Sequence, residues 1–487
     1  MGYWDGMDDV RVLDPAPVDT LKAYVDGGGG EGVAAARKAG TDVLLGLLHD
    51  AGLRGRGGAG FPTWRKWQAA AAALSDLAHS PVVVNAAEGE PGTFKDRALI
   101  RTNPYRVLEG ALVAAHAIAA DEVIVGLKRS FGTEHDRLRR AVDEMREADW
   151  LGDLRVTLVA GPEEYLYGEE TALLEVIDGR QPFPRITPPY RRGVDADDEV
   201  GGRSASDVEL AAPGGAAGSP ALVNNVETLA NVPGIVSHGA SWFRQVGTEA
   251  SPGTVVCTVS GATRRAGVAE VPLGTPLREV LEMVGGGARR DHQLMSVLPG
   301  VANALIPDEL FGTPVTYEDM AAAGTGLGSA GFIVFDERTD PVAVAAGVAH
   351  FLAVESCGQC EPCKRDGLAL ASLLTQVRDG EATDHELELI QDRLRTVTDG
   401  ARCYLAQQQQ NVVQSVLRLY PELIGEHLRG LSSPPVGIGP LVDIVDGIAT
   451  VDVHESKQPD WSYDVVDSGT PPAARLADTP VEVAVGR

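Results

Sequence analysis

Val82-Val-Val-Asn85-Ala-Ala-Glu88-Gly-Glu90-Pro-Gly-Thr-Phe-Lys95-Asp96-Arg97 reads as a short buried strand that runs out into a polar, Gly-containing turn. An apolar run this short, bounded by turn residues, fits a strand covered on both faces. Its neighbours decide the fold class. Tyr105–Ala120 has a helical pattern, Glu122-Val-Ile-Val-Gly-Leu is a second strand and Thr133–Ala148 a charged helix. Arg155-Val-Thr-Leu-Val-Ala is a third strand, leading towards a helix at 169–178. Alternation of strands and helices over this length implies a mainly parallel α/β sheet. Ligands of such sheets bind at the carboxyl ends of the strands, where Asn85, Glu88 and Glu90 fall.

Working outward, residues 1–50 form a helical preamble in which amphipathic Asp42–His49 follows a flexible Gly27–Gly30 run. Short strands return between 250 and 335 (Gly253–Ser260, Gly331–Phe335) around a helix at Pro276–Val284, which suggests a small α+β domain. From Pro341 to Leu428 the period becomes helical, with Leu405, Val412, Val413, Val416, Leu419 and Leu423 on one face. Residues 191–220 look like a mobile acidic loop. The tail from Ser432 is acidic and Pro-rich, with a hairpin expected at Asp443–Val453. The expected domains are 1–245, 246–336, 337–430 and a tail at 431–487. A net charge of −27 would repel phosphates and argues against nucleic-acid binding. The N-terminus lacks the basic and apolar regions of a signal peptide, and no run reaches about 18 apolar residues, so no membrane span is expected. Together with the clustered cysteines, this points to a cytoplasmic chain.

Four of the five cysteines form one pattern, Cys357-Gly-Gln-Cys360-Glu-Pro-Cys363 and then Cys403. Three thiolates in one tight loop and a fourth from a separate element suit a [4Fe–4S] cubane, whose irons each take one thiolate. A zinc site more often presents two Cys-x-x-Cys pairs, and unligated thiols are the remaining alternative. Cys257, in an apolar run, is expected in the core. In Gly52-Leu-Arg-Gly-Arg-Gly-Gly-Ala-Gly-Phe61-Pro-Thr-Trp-Arg-Lys66, five glycines in nine residues expose backbone amides among Arg54, Arg56 and Lys66. That composition suits a phosphate or pyrophosphate, with a flexible loop as the plain alternative. The formal GxGxxG at Gly55, Gly57 and Gly60 follows a helix rather than a strand, so it is no ordinary dinucleotide fingerprint. Asn85, Glu88 and Glu90 can hydrogen-bond a ribityl chain or ribose hydroxyls, unless they merely form a solvated turn. Tyr165-Leu-Tyr-Gly168-Glu169-Glu170 again runs from a strand into a helix, where paired acids also complement a helix dipole. Asn224-Asn225-Val-Glu-Thr228 adds amides that cap helices or bind ring carbonyls.

GLRGRGGAGFP, N-x-x-E-G-E-P-G-T-F-K-D-R, Y-x-x-G-E-E-T-A-L-L-E, V-N-N-V-E-T-L-A-N-V-P and E-S-C-G-x-C-x-P-C-K occur in this order. From about residue 45 to 430 the chain resembles the flavin- and NADH-binding 51-kDa (F) subunit of respiratory complex I, whose family includes diaphorase subunits of NAD-linked hydrogenases and formate dehydrogenases. The resemblance implies a Rossmann-like flavin domain, a β-grasp-like soluble ligand-binding domain at about 250–335 and a helical bundle with the iron–sulfur cluster. It implies FMN held by Gly55, Arg56, Gly57 and Lys66, with Asn85, Glu88, Tyr165, Gly168, Glu169, Glu170, Asn224, Asn225 and Thr228 at its other contacts or beside them. NADH would lie over the flavin against Phe61, Glu90, Glu170 and Tyr190. Cys357, Cys360, Cys363 and Cys403 would ligate the [4Fe–4S] cluster. The implied activity is NADH dehydrogenation, electrons passing between NAD(H), FMN and cluster in a multisubunit oxidoreductase. A thioredoxin-like [2Fe–2S] subunit is the implied partner, and the assembly could be peripheral to a membrane. No side chain is expected to act as acid or base. Departures from the family cluster at one site: Ala87 replaces an Asp, Thr187 a Lys, Tyr190 a Phe and Ala69 an aromatic. Tyr404-Leu-Ala-Gln-Gln-Gln-Gln410 follows Cys403 where small residues are usual. An alternative function follows, a divergent FMN/[4Fe–4S] relay that takes electrons from a donor other than NADH.

Overall fold

The computed structural model describes residues 10–73, 80–191, 193–194, 220–452 and 481–484. The strands of the opening alternation are β1 (Pro81–Ala86), β2 (Glu122–Lys128), β3 (Arg155–Gly161) and β4 (Leu222–Asn225). They are parallel and ordered β3-β2-β1-β4. Val82, Val83 and Val84 are fully buried, as a strand covered by helices on both faces must be. The helices Pro104–Ile118 and Gly132–Glu147 occupy the expected crossovers, and Glu170–Ile177 follows β3.

A second sheet contains β5 (Thr254–Gly261), β6 (Gly267–Pro272), β7 (Leu294–Pro299), β8 (Ile306–Pro307) and β9 (Gly331–Asp336), in the order β6-β5-β9-β7-β8. Its first and last strands are parallel neighbours at the centre, with antiparallel strands outside, which is the β-grasp arrangement around the helix Leu277–Gly285. Cys257 is buried in this core. A six-residue helix, Tyr317–Ala322, is one the sequence reading did not foresee; it is too short for a periodic signal.

The bundle consists of Pro341–Glu355, Glu361–Arg378, Asp384–Thr396, Leu405–Leu419 and Pro421–His427. Leu405, Val412, Val413 and Val416 are buried in its core, with Leu419 and Leu423 at the margin, so the predicted face holds. The expected hairpin forms as β10 (Leu441–Val445) and β11 (Ile448–Val451). It returns to the first domain, where Leu441 and Ile444 join the α/β core. Finally β12 (Val481–Ala484) adds an antiparallel strand beside β3. The loop expected to be mobile, and most of the tail, lie outside the described residues. The Gly27–Gly30 run is a tight turn rather than a flexible one: the buried Glu109 carboxylate accepts from the Gly30 and Val33 amides (2.8 and 2.9 Å) and from the Tyr24 hydroxyl. No helix among the described residues is long and apolar enough to cross a membrane.

Candidate functional site

The chain leaves β1 towards β2 on one side, while β4 pairs with β1 on the other. The switch point of the sheet therefore lies between the carboxyl ends of β1 and β4, where an open α/β sheet forms its ligand crevice. Asn85 and Asn225 face each other in register there. The Gly-rich loop crosses this end: the Gly55 amide donates to the Phe61 carbonyl (2.8 Å), and the Arg56 amide to Thr228 Oγ1 (2.9 Å). A Cβ on Gly57 would lie 3.3 Å from that of Asn225. Gly60 has φ +62° and backs onto the Tyr317 ring, which leaves no room for a side chain. Arg54 stacks 4.0 Å from the centre of that ring and donates to the Gly60 carbonyl (2.8 Å) and to Glu318 (3.0 Å). The loop is thus braced by the short Tyr317–Ala322 helix of the second domain. Among the described residues, the amides of Gly57, Gly58, Ala59 and Gly60 donate to no protein acceptor.

Buried charges beneath the loop fix its floor. Arg56 is buried behind the loop; its guanidinium donates to the carbonyls of Arg54 and Pro252 (3.3 Å each) and lies 3.9 Å from Glu227. Only its backbone belongs to the open side. Lys95 contacts Asp96 (2.7 Å), Glu227 (3.1 Å) and Asn225 Oδ1 (3.1 Å), while Asn225 Nδ2 donates to Asp96 (2.7 Å). Burial works against the Lys95 charge, yet Asp96 and Glu227 hold its pKa above the ordinary amine value. Burial also pushes the Asp96 carboxyl up to about 6, against the pull of Lys95. Glu88 is consumed by Arg97 Nε (2.9 Å) and the Asp96 amide (3.0 Å), which leaves it a structural anchor. Asn224 accepts from Trp67 Nε1 (2.7 Å), and Asn85 Nδ2 donates to the Gly168 carbonyl (2.8 Å), joining the second and third motifs.

The remaining predicted residues rim the crevice. Lys66 and Glu170 pair across it. Glu169 caps the helix Glu170–Ile177 through the amides of Thr171 (3.0 Å) and Ala172 (2.8 Å), and burial raises its pKa. Glu90 accepts from the Tyr165 hydroxyl and from the Val301 amide (2.7 Å); burial raises its pKa too. Phe61 and Tyr190 are 52% and 41% exposed, large rings left available for stacking. Ala87 is buried in an apolar cluster with Val83, Tyr167 and Leu173, so this chain has packed hydrocarbon where a carboxylate would need partners.

The four cysteines converge on a second, small pocket, partly open to solvent, whose wall includes Leu166, Pro184, Ser356, Leu405 and Ala406. Cys357 lies in the turn after Pro341–Glu355, Cys360 caps Glu361–Arg378 and Cys363 is in its first turn. Cys403 precedes Leu405–Leu419. Ser356 Oγ is 3.4 Å from Cys363 Sγ, and Gln359 Nε2 donates to Cys357 Sγ (3.5 Å). Burial pushes Cys363 up to about 11 and Cys403 to about 12, so a cationic centre is what would hold thiolates there. Among the described residues no three of these sulfurs lie within 4.8 Å of one another.

Sequence reading missed Arg54, Tyr317 and Glu318 as the brace of the loop, and the Lys95–Asp96–Glu227 floor. The K-D motif was visible, but its partner 132 positions away from Lys95 was not. Residues 48–234 match the family model described as the Nuo51 FMN-binding domain, 256–301 the SLBB domain, and 343–427 the NADH-ubiquinone oxidoreductase-F iron-sulfur binding region. The F subunit of the NADH-quinone oxidoreductase of Streptomyces coelicolor is 35% identical over 424 residues, 85% of this chain and 89% of that one. Its counterpart in Aquifex aeolicus is 31% identical over 427 residues, 86% and 94%. A crystal structure of an NAD⁺-reducing [NiFe]-hydrogenase in the H₂-reduced state superposes with a TM-score of 0.72 at 31% identity, covering 85% of this chain and 67% of that one. By these matches the chain belongs to the family of NADH-quinone oxidoreductase F subunits.

Proposed function

We propose that this chain is the electron-input subunit of a multisubunit oxidoreductase, passing electrons between NAD(H), FMN and a [4Fe–4S] cluster. Both groups fit the residues present. The four unpaired amides of Gly57–Gly60 make a nest for an anionic phosphate, at the switch point where a flavin would lie. Four thiols, three from one loop and one from a separate turn, surround a cavity walled largely by apolar side chains. FMN supplies the conversion between a two-electron hydride donor and a one-electron cluster. The chain's own contribution is placement. Asn224 and Asn225 are locked by partners at the strand end, Thr228 is buried beneath and holds the Arg56 amide of the loop, and Lys66 and Glu170 pair at the rim. Exposed Phe61 and Tyr190 offer faces on which nucleotide rings stack.

The observation that carries the reading is the Tyr165-Leu166 step, which belongs to both sites. The Tyr165 hydroxyl bonds Glu90 in the crevice, its amide donates to Glu355 (2.8 Å) just before the cluster loop, and Leu166 lines the cluster cavity. The test is reconstitution with FMN and cluster, followed by anaerobic mixing with NADH. The flavin absorbance should bleach, and an unbleached spectrum would sink the reading. Ala87, buried in hydrocarbon, and Thr187 favour a second reading, a relay fed by another donor; micromolar NADH affinity with rapid bleaching excludes it. For the electron exit we propose a thioredoxin-like [2Fe–2S] subunit, recoverable by purifying the native complex. The location this implies is cytoplasmic, or membrane-peripheral through partner subunits.

A further inference from the structure

The run Gln407–Gln410 directly follows the cluster ligand Cys403 on the helix Leu405–Leu419. Three of its glutamines stay within the bundle. Gln407 donates to Gln410 (2.7 Å) and Asn411 (2.9 Å), Gln409 to the Gly367 carbonyl (3.1 Å) and Gln410 to the Leu394 carbonyl (2.5 Å). Gln408 alone reaches out of it. Its Nε2 donates to the Tyr165 hydroxyl at 2.8 Å, although the two residues are 243 positions apart. Gln408 is buried, and its Oε1 has no protein partner.

A tyrosine hydroxyl carries one proton. With the Gln408 amide donating into its oxygen, that proton is committed to Glu90. The Tyr165 ring cannot swing away, because it packs edge-on against Phe351 (centroids 5.5 Å apart) and its amide is tied to Glu355. Glu90 is held from the other side by the amides of Val301 and Ala302. Burial raises the Tyr165 pKa well above the phenolic value, so the hydroxyl remains a donor.

We propose that Gln408 is a positioning residue of the nucleotide site, acting through Tyr165 to fix the orientation of the Glu90 carboxylate from the helix that follows Cys403. The proposal rests on the reading of Glu90 as a nucleotide contact. It gives the Gln run a function: the cluster helix sets the geometry of a carboxylate in the neighbouring domain.

The test uses the assembled holo-complex, with flavin and cluster content measured per chain, and NADH oxidation followed with ferricyanide. Gln408→Ala should raise the KM for NADH about 2- to 10-fold, the range of one hydrogen bond, and lower kcat by less. Gln408→Glu keeps the volume but replaces the donor with an acceptor, so it should raise KM at least as much; a packing role would spare it. In a Tyr165→Phe background, Gln408→Ala should change KM less than about 2-fold, because the group it acts through is gone. Gln414→Ala, on the exposed face of the same helix, should match wild type. A wild-type KM in Gln408→Glu, or an undiminished Gln408→Ala effect without the Tyr165 hydroxyl, would overturn the proposal. If wild-type flavin is not bleached by NADH at all, the functional reading fails first and the proposal falls with it.

Discussion

At the scale of single residues, the candidate flavin site depends on charges buried beneath it. Arg97 is the hub. Its guanidinium holds Glu88, donates to the carbonyls of Leu441 (2.7 Å) and Val442 (3.1 Å) in the C-terminal hairpin, and lies 4.0 Å from the centre of the Phe94 ring. Replacing it with Met conserves much of the volume but strands the Glu88 carboxylate in the interior. Breaking a buried pair in this way costs about 3–5 kcal/mol, so Arg97→Met should lose that much in urea denaturation. It should also release FMN, since Glu88 aligns the Asp96 amide and Asp96 holds Asn225. Asp96 itself gives a pH signature. Its folded pKa, about 6, stands above the usual carboxylate value because of burial. The folded state therefore binds this proton more tightly than the unfolded chain does. The corresponding stability is present below about pH 4 and is lost as pH rises through about 6. Stability measured across that window should fall less in Asp96→Asn than in wild type; equal slopes would show that Asp96 titrates normally.

At the scale of elements, three strands of the α/β domain and the helices at 104–118, 132–147 and 170–177 were legible because their patterns are local, while β4 and the helix Val226–His238 were not foreseen. Pro81–Val84 and Val123–Leu127 are short apolar runs, and the cysteine spacing suggests a cluster without any fold. What stayed hidden depends on partners far away in sequence. Glu88 reads as a ligand contact until Arg97 is seen to consume it, and Arg56 reads as a phosphate cation until its side chain is found behind the loop. Tyr317–Ala322 is too short for a period, so the brace it gives the Gly-rich loop left no trace. The crossing of helices Pro104–Ile118 and Val226–His238 shows the same limit. Gly110 sits mid-helix, where Ala would locally be better by about 1 kcal/mol. A Cβ there would drive into the Leu229 carbonyl of the facing helix. Overpacking of a tight interface costs about 1–3 kcal/mol or more, so tertiary contact should win. Gly110→Ala should melt below wild type, whereas a raised melting temperature would mean that the helices can part cheaply.

At the scale of the whole molecule, the two candidate sites stand on separate cores. One core unites one face of the α/β sheet, its helices and the returning hairpin, and the other joins the bundle to Leu298, Val301, Leu305 and Phe335 of the second-sheet domain. Several contacts link them, Val301 among them, since it packs in the second core while its amide holds Glu90. Leu166 counts with the bundle core, Tyr165 joins Glu90 to Glu355 and Gln408, and these few residues span the space between crevice and cluster cavity. Separate cores imply that one site can fail while the other survives. Cys403 tests this. It reaches the cluster from its own turn, and replacing it with Ser removes one of four thiolates while altering little volume. Cys403→Ser should lose the [4Fe–4S] spectrum yet retain FMN at wild-type stoichiometry, because no residue of the Gly57–Gly60 nest leans on it. In anaerobic rapid mixing its flavin should still bleach with NADH at close to the wild-type rate. Reoxidation through the remaining subunits should then fall to background, since the electrons have lost their way out. Flavin loss or failed bleaching in the variant would mean that the cores fold as one unit. Slow bleaching with FMN retained would place the fault in the Tyr165 link, whose Gln408 lies one turn along the helix that Cys403 precedes.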